Sequence, residues 1–121
     1  MSLYNFAFGN TALHLSASAS QASTVTGSAV DITGYDAPLV VIQSHGTGTG
    51  TLDGKIQDSA DGSTGWTDVS GAAFTQRTTT AAVDSLVIDP RAVKRYIRYV
   101  GTIGTGPQNV GVVAVGIKRN I

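Results

Sequence analysis

The sequence predicts an all-β fold, an antiparallel β-sandwich of jelly-roll type carrying an N-terminal arm, and three observations lead there. Roughly eight short β-prone segments are separated by turn signals about every 8 to 12 residues, the spacing of sandwiches and barrels rather than of βαβ units. No window shows helical periodicity; the 121 residues contain no Glu, 15 Gly and only 13% charged residues, a composition that starves helices. Finally, Lys55-Ile56-Gln57-Asp58-Ser59-Ala60-Asp61-Gly62-Ser63-Thr64-Gly65-Trp66-Thr67-Asp68-Val69 reads as a hairpin. Two β-prone runs flank an Asp-Gly turn, where glycine takes φ > 0 without strain and the Asp side chain bonds nearby backbone amides.

Taken in order, residues 1–10 form an arm bearing Leu3, Tyr4, Phe6 and Phe8, too apolar for a free tail and suited to packing on its own domain or on a neighbour. Residues 11–121 make a single domain, large enough to bury a core. Leu13 and Leu15 share one face of a first strand with His14 on the other, and Val25, Val30 and Ile32 mark further short strands. The Ala/Ser run from Ser16 to Ser23 fits strand, loop or arm. Gly34 to Pro38 is a turn. Leu39 to Gln43 is apolar on both faces, as a central or covered strand is, and His45 to Thr51 reads as a Gly-rich loop into the hairpin. A Ser70-Gly71 turn leads to Phe74, Arg77 to Thr80 is a loop, and Val83 to Ile88 is a strand ended by Asp89-Pro90. Ala92 to Val100 places Val93, Ile97 and Tyr99 on a core face and Lys94, Tyr96 and Arg98 on a basic, aromatic one. After a Gly101–Gln108 loop, Asn109 to Lys118 is apolar on both sides, so its outer face calls for a cover from the arm or another subunit.

The net charge is zero, yet unevenly laid out: all eight Asp residues precede Pro90 beside only Lys55 and Arg77, and the six remaining bases follow it without an acid. Pairing between neighbouring strands is the expected outcome, opposed patches in a head-to-tail contact the other. The absence of Cys excludes disulfides and thiolate chemistry. Nothing at the start reads as a signal peptide, and no segment reaches the roughly 20 apolar residues of a membrane helix.

Motifs for chemistry are weak. Gly46 to Gly50 lacks the Lys-Ser/Thr and the following helix of a phosphate loop. Asp53, Asp58, Asp61, Asp84 and Asp89 match no calcium-loop spacing and read as turn and cap residues. Ser44-His45 with an Asp elsewhere could compose a triad, but no nucleophile elbow presents a hydroxyl, and both histidines read as surface or half-buried strand residues. Tyr96 with Arg95 and Arg98 could stack bases and grip phosphates, but a neutral chain poor in bases argues against nucleic acid. No enzyme, no cofactor and no metal site is expected.

The 55–69 hairpin followed by Lys94-Arg95-Tyr96-Ile97-Arg98 resembles the "S-x-D-G-x-x-W-T, then R-Y-I-R" pattern of galactose-binding-like jelly rolls, which include discoidin-type carbohydrate and lipid binders. With Ser70-Gly71-Ala72-Ala73-Phe74-Thr75 and a Gly/Val-rich last strand, the chain also looks like the small structural proteins of tailed bacteriophages, notably capsid decoration (cement) proteins. That resemblance implies a non-enzymatic virion protein, made in the host cytoplasm, that binds the major capsid protein and forms a homo-oligomer. Its interface residues would be Leu3, Tyr4, Phe6 and Phe8 of the arm, with Arg95, Tyr96 and Arg98 as a second patch. The alternatives are a carbohydrate-binding module gripping a glycan with loops 46–50 and 101–108, or a tail or head-to-tail connector subunit. Neither nucleic acid nor membrane is an expected partner.

Overall fold

The computed structural model describes residues 10–35 and 37–117, and it is all β. Nine strands run in chain order: β1 (Asn10–Gln21), β2 (Val25–Thr26), β3 (Val30–Asp31), β4 (Leu39–Gly48), β5 (Thr51–Ser59), β6 (Thr67–Ala73), β7 (Ala82–Ile88), β8 (Tyr96–Gly104) and β9 (Gln108–Ile117). One sheet has the order β1-β9-β4-β7; the other runs β2-β8-β5-β6, with β3 also on β8. All pairs are antiparallel.

The topology follows from nesting around the predicted hairpin. β5 pairs with β6, β4 with β7, β2 and β3 with β8, and β1 with β9, successive pairs falling alternately into the two sheets. That is the jelly roll: a long hairpin folded over itself, its two sheets facing across one core. The outermost pair joins Asn10 to Ile117, so almost the whole chain is threaded before the roll closes.

Alternation builds the core, and Ile97 and Tyr99 lie on the inward face that the sequence expects of them. Leu39 and Val41 of β4, Leu52 and Ile56 of β5, Ile97 and Tyr99 of β8, and Val110, Val112 and Ala114 of β9 are buried between the sheets, spaced by two along each strand except in β5, where Gly54 takes the inward place between Leu52 and Ile56. Leu15 joins them from β1, and Phe74 meets Tyr99 edge to face with ring centroids 6.2 Å apart. The Ala/Ser run proves to be strand, continuing β1 to Gln21 with register shifts between His14 and Ser16 and between Ser16 and Ala19.

Four sequence expectations are corrected. The 45–51 loop is mostly strand: β4 continues to Gly48, and Thr49-Gly50 alone carries the chain from one sheet to the other. Gly50 has φ 83, and a Cβ there would meet the Thr105 carbonyl oxygen at 2.0 Å, so glycine is required at this corner. Likewise Gly101 to Gly104 belong to β8, and the sheet-crossing connection is Thr105-Gly106-Pro107, which the first corner meets through Thr49 N–H donating to the Pro107 carbonyl (2.8 Å). Residues 92–95 precede β8: Asp89 turns the chain there, its carboxylate accepting from the Arg91 amide and its carbonyl from the Ala92 amide. Ser70-Gly71 is likewise no turn but part of β6, which bulges between its pairings with Lys55 and Gln57.

Candidate interaction surface

The two outer faces of the sandwich differ in kind. On the β2-β8-β5-β6 sheet, outward side chains satisfy one another. Arg98 donates to Gln57 Oε1 (2.8 and 3.0 Å) and its guanidinium lies 4.3 Å from the Trp66 ring centroid, a cation–π stack. Gln57 and Lys55 both donate to Asp68. Arg95 pairs with Asp31 at 2.9 Å and sits over the Tyr96 ring. The hairpin tip folds back onto this face, Gly62 lying so near Tyr96 that a Cβ would stand 3.1 Å from the ring. The structure thus brings Arg95, Tyr96 and Arg98 together, each already engaged within the chain; Leu3, Tyr4, Phe6 and Phe8 lie outside the described residues. Of the charge pairing expected between the two halves of the sequence, Arg95–Asp31 is the ion pair formed among the described residues, while Lys55–Asp68 and Arg77–Asp84 join groups within the first half.

The tip itself is built on Asp61, which accepts from the amides of Thr64 and Ser63 and from the Thr64 hydroxyl, all at 2.9 Å. Ser59 Oγ donates to the Thr64 carbonyl (2.5 Å), closing the loop from beneath. The Thr64 and Ser63 amides hold the Asp61 carboxyl well below the usual carboxylate range, and Asp31 (by Arg95), Asp68 (by Gln57, then Lys55) and Asp84 (by Arg77) are lowered too. A carboxyl whose folded pKa is depressed lends stability above its unfolded value near ~3.9, and that contribution disappears as pH falls through the folded value. Thermal stability is therefore expected to be level from pH 7 to about 5 and to fall below about 4. Scanning calorimetry across that range checks it, with Asp61→Asn expected to flatten the acid limb.

The β1-β9-β4-β7 sheet presents the opposite surface. Its outward positions are Val40 and Ile42 on β4, Val83 and Val87 on β7, and Val113 and Val115 on β9. The register aligns them: Val40 lies between Val87 and Val115, and Ile42 between Ser85 and Val113. Val83 is 69%, Val87 68% and Val40 38% exposed, while Ile42, Val113 and Val115 are half-buried. Six aliphatic side chains thus form one contiguous patch, the kind that marks contact sites. The expectation that the last strand is apolar on both faces holds, and β4 shares the property.

Among the described residues, Ser44 and His45 do not come together as a nucleophile and its base. His45 is buried, its Nδ1 3.0 Å from the Thr80 carbonyl oxygen and its Nε2 2.5 Å from Gln108 Oε1, while Ser44, the next residue on the strand, is exposed on the opposite face. The expected surface or half-buried histidine is instead an interior one, because β4 continues through the predicted loop. The five carboxylates weighed for calcium each have protein donors: Gln76 for Asp53, Thr67 and the Lys94 amide for Asp58, Arg77 for Asp84, the Arg91 amide for Asp89, and the loop for Asp61. Among the described residues no cluster of ligands that could hold a metal is present.

Against known proteins, no family model and no curated protein matches the chain. Among solved structures, a chain in the structure of infectious bursal disease virus, Gx strain, aligns with 90% of this chain at 14% identity and a TM-score of 0.45. The alignment spans 33% of that longer chain.

Proposed function

We propose that this protein is a non-enzymatic structural component of a virion, a capsid decoration (cement) protein that binds the major capsid protein and stabilises the head. The observation that carries the reading is the apolar outer face of the β1-β9-β4-β7 sheet. One side of a jelly roll saturated with internal polar contacts and the other covered with valine and isoleucine suit a module that works by being laid onto other proteins. At about 25 cal/mol per Å² of apolar area removed from water, covering such a face is favourable without any chemistry.

The arm, residues 1–10, is the second proposed contact: it precedes the rest of β1, a strand of that sheet, and Leu3, Tyr4, Phe6 and Phe8 are the apolar anchors that its sequence offers. Arg95, Tyr96 and Arg98 are the lesser contact, on the opposite face, where Arg95 is the most exposed of the three ion-paired bases.

The test is co-sedimentation of the full chain with capsids that lack it. Val40→Lys with Val113→Lys, and separately Phe6→Ser with Phe8→Ser, are each expected to weaken binding at least about tenfold, since a buried unpaired charge or a lost anchor costs more than about 1.4 kcal/mol. Binding unchanged in both, with the fold intact by circular dichroism, would refute the reading.

A further inference from the structure

A sandwich has four sheet edges, and strand edges are open templates for pairing unless something blocks them. Three of these four are blocked. β2 and β3 are two residues long each. β1 is broken by two register shifts, and its Leu15 carbonyl already accepts the Ser28 amide. β6 is bulged between its pairings with Lys55 and Gln57.

β7 differs from all three. Its seven residues pair with β4 in unbroken register from Leu39↔Ile88 to His45↔Ala82. Among the described residues no backbone hydrogen bond reaches its other edge. It contains no Lys, Pro or Gly, and its one charge, Asp84, is neutralised by Arg77, whose Nε donates at 2.7 Å. Two of its outward side chains, Val83 and Val87, are the most exposed large apolar residues described.

The segment Val83-Asp84-Ser85-Leu86-Val87 also has a centre. Turned through a two-fold axis at Ser85 and laid antiparallel on itself, it sets Val83 against Val87 of the second copy and Ser85 against Ser85. Cross-strand aliphatic pairs of this kind stabilise sheets, and an isologous contact demands this self-complementarity. We infer that β7 is a self-pairing edge, and that two copies of this chain join there antiparallel about Ser85 into a continuous sheet, β1-β9-β4-β7 running on into β7-β4-β9-β1 of the second copy.

The size of the contact sets its strength. Seven residues make an edge about 24 Å long, which by itself falls short of the roughly 1,200–2,000 Å² of a standard stable interface. The dimer is therefore reversible, favoured where copies are concentrated, and no net charge opposes it. Dimerisation places both apolar faces on one side, doubling the surface described above, but it does not rest on the virion reading.

The chain has no cysteine, so engineered thiols report the register directly. Facing residues of an antiparallel pair lie about 5 Å apart at Cα, within disulfide range. Under mild oxidation the Ser85→Cys protein is expected to be recovered mainly as a disulfide-linked dimer. Val83→Cys alone and Val87→Cys alone should form little disulfide-linked dimer, because each residue lies about 14 Å along the strand from its own copy, whereas an equimolar mixture of the two should cross-link. In sedimentation velocity the unmodified chain should rise with concentration from 12.4 kDa toward twice that mass, and Val83→Lys with Val87→Lys should hold it at the monomer. A chain that stays monomeric into the millimolar range, or a dimer in which Ser85→Cys cross-links no better than Val83→Cys, overturns the inference. Neither outcome bears on capsid binding, which the Val40 and Val113 variants read separately.

Discussion

Replacing Gly54 by alanine is expected to destabilise the fold by about 3 kcal/mol, a fall in melting temperature of roughly 12 °C for a domain of this size. The glycine lies mid-strand on β5, facing inward, where intrinsic preference disfavours it against β-branched and aromatic residues. Its reason is above it: a Cβ would stand 2.2 Å from Gln43 Oε1 and 2.7 Å from Tyr99 Oη. Those two atoms are themselves hydrogen-bonded at 2.6 Å, Gln43 reaching from β4 and Tyr99 from β8. This is the polar bond that crosses between the sheets in the middle of the core, and glycine is what leaves room for it. A methyl group must either break the bond or push the sheets apart. Neither atom sits at the end of a freely swinging side chain, since both residues are fully buried. Equilibrium urea unfolding of Gly54→Ala measures the cost, and a loss below about 1 kcal/mol would show that the sheets give way easily here.

What could be read from the sequence divides along the same line. Alternation located the core face of β8, because Ile97 and Tyr99 repeat every second residue and bury in step; in β9, where Val110, Val112 and Ala114 are the buried set, it could not choose between two apolar faces. The Asp61-Gly62 turn fixed the innermost hairpin, and the jelly-roll nesting is arranged around it. The apolar outer face was legible in β9, whose valines run on both sides. Its lateral extent was not, since Val40, Val87 and Val115 lie far apart in sequence and become neighbours only through register. Glycine misled in the other direction. Runs such as His45 to Gly48 and Gly101 to Gly104 carry loop composition, yet here glycines sit within strands because other atoms approach closely: Gly48 meets the Gln108 side chain, Gly101 the Tyr99 ring. Polar residues at inward positions were equally opaque. Gln43, His45 and Gln108 find partners across the core or at the sandwich end, 35 to 63 residues away, and no local pattern announces such a pairing. A polar residue two places along from Leu39 and Val41 in the same alternation was the available signal.

The Gln43–Tyr99 pair itself is expected to show strong non-additivity. Burial pushes the Tyr99 phenol up, so at neutral pH it is a donor. Tyr99→Phe removes that donor and leaves Gln43 Oε1 dry, at a cost of about 2 kcal/mol. Gln43 is already under-satisfied: its amide lies beside Asp84 on β7 and helps hold that carboxylate down, yet Nε2 makes no full hydrogen bond. Gln43→Leu removes both of its polar atoms but strands the Tyr99 hydroxyl, again about 1–2 kcal/mol. With both changes together nothing polar remains unpaired at the centre of the sandwich. Leucine is close to glutamine in volume, and phenylalanine keeps the edge contact with Phe74. The double variant is therefore expected to be more stable than Tyr99→Phe alone, with a coupling of about 2 kcal/mol in a double-mutant cycle measured by urea unfolding. Costs that simply add would mean that water reaches these groups, and the interior between the sheets would then be wet where the packing makes it dry.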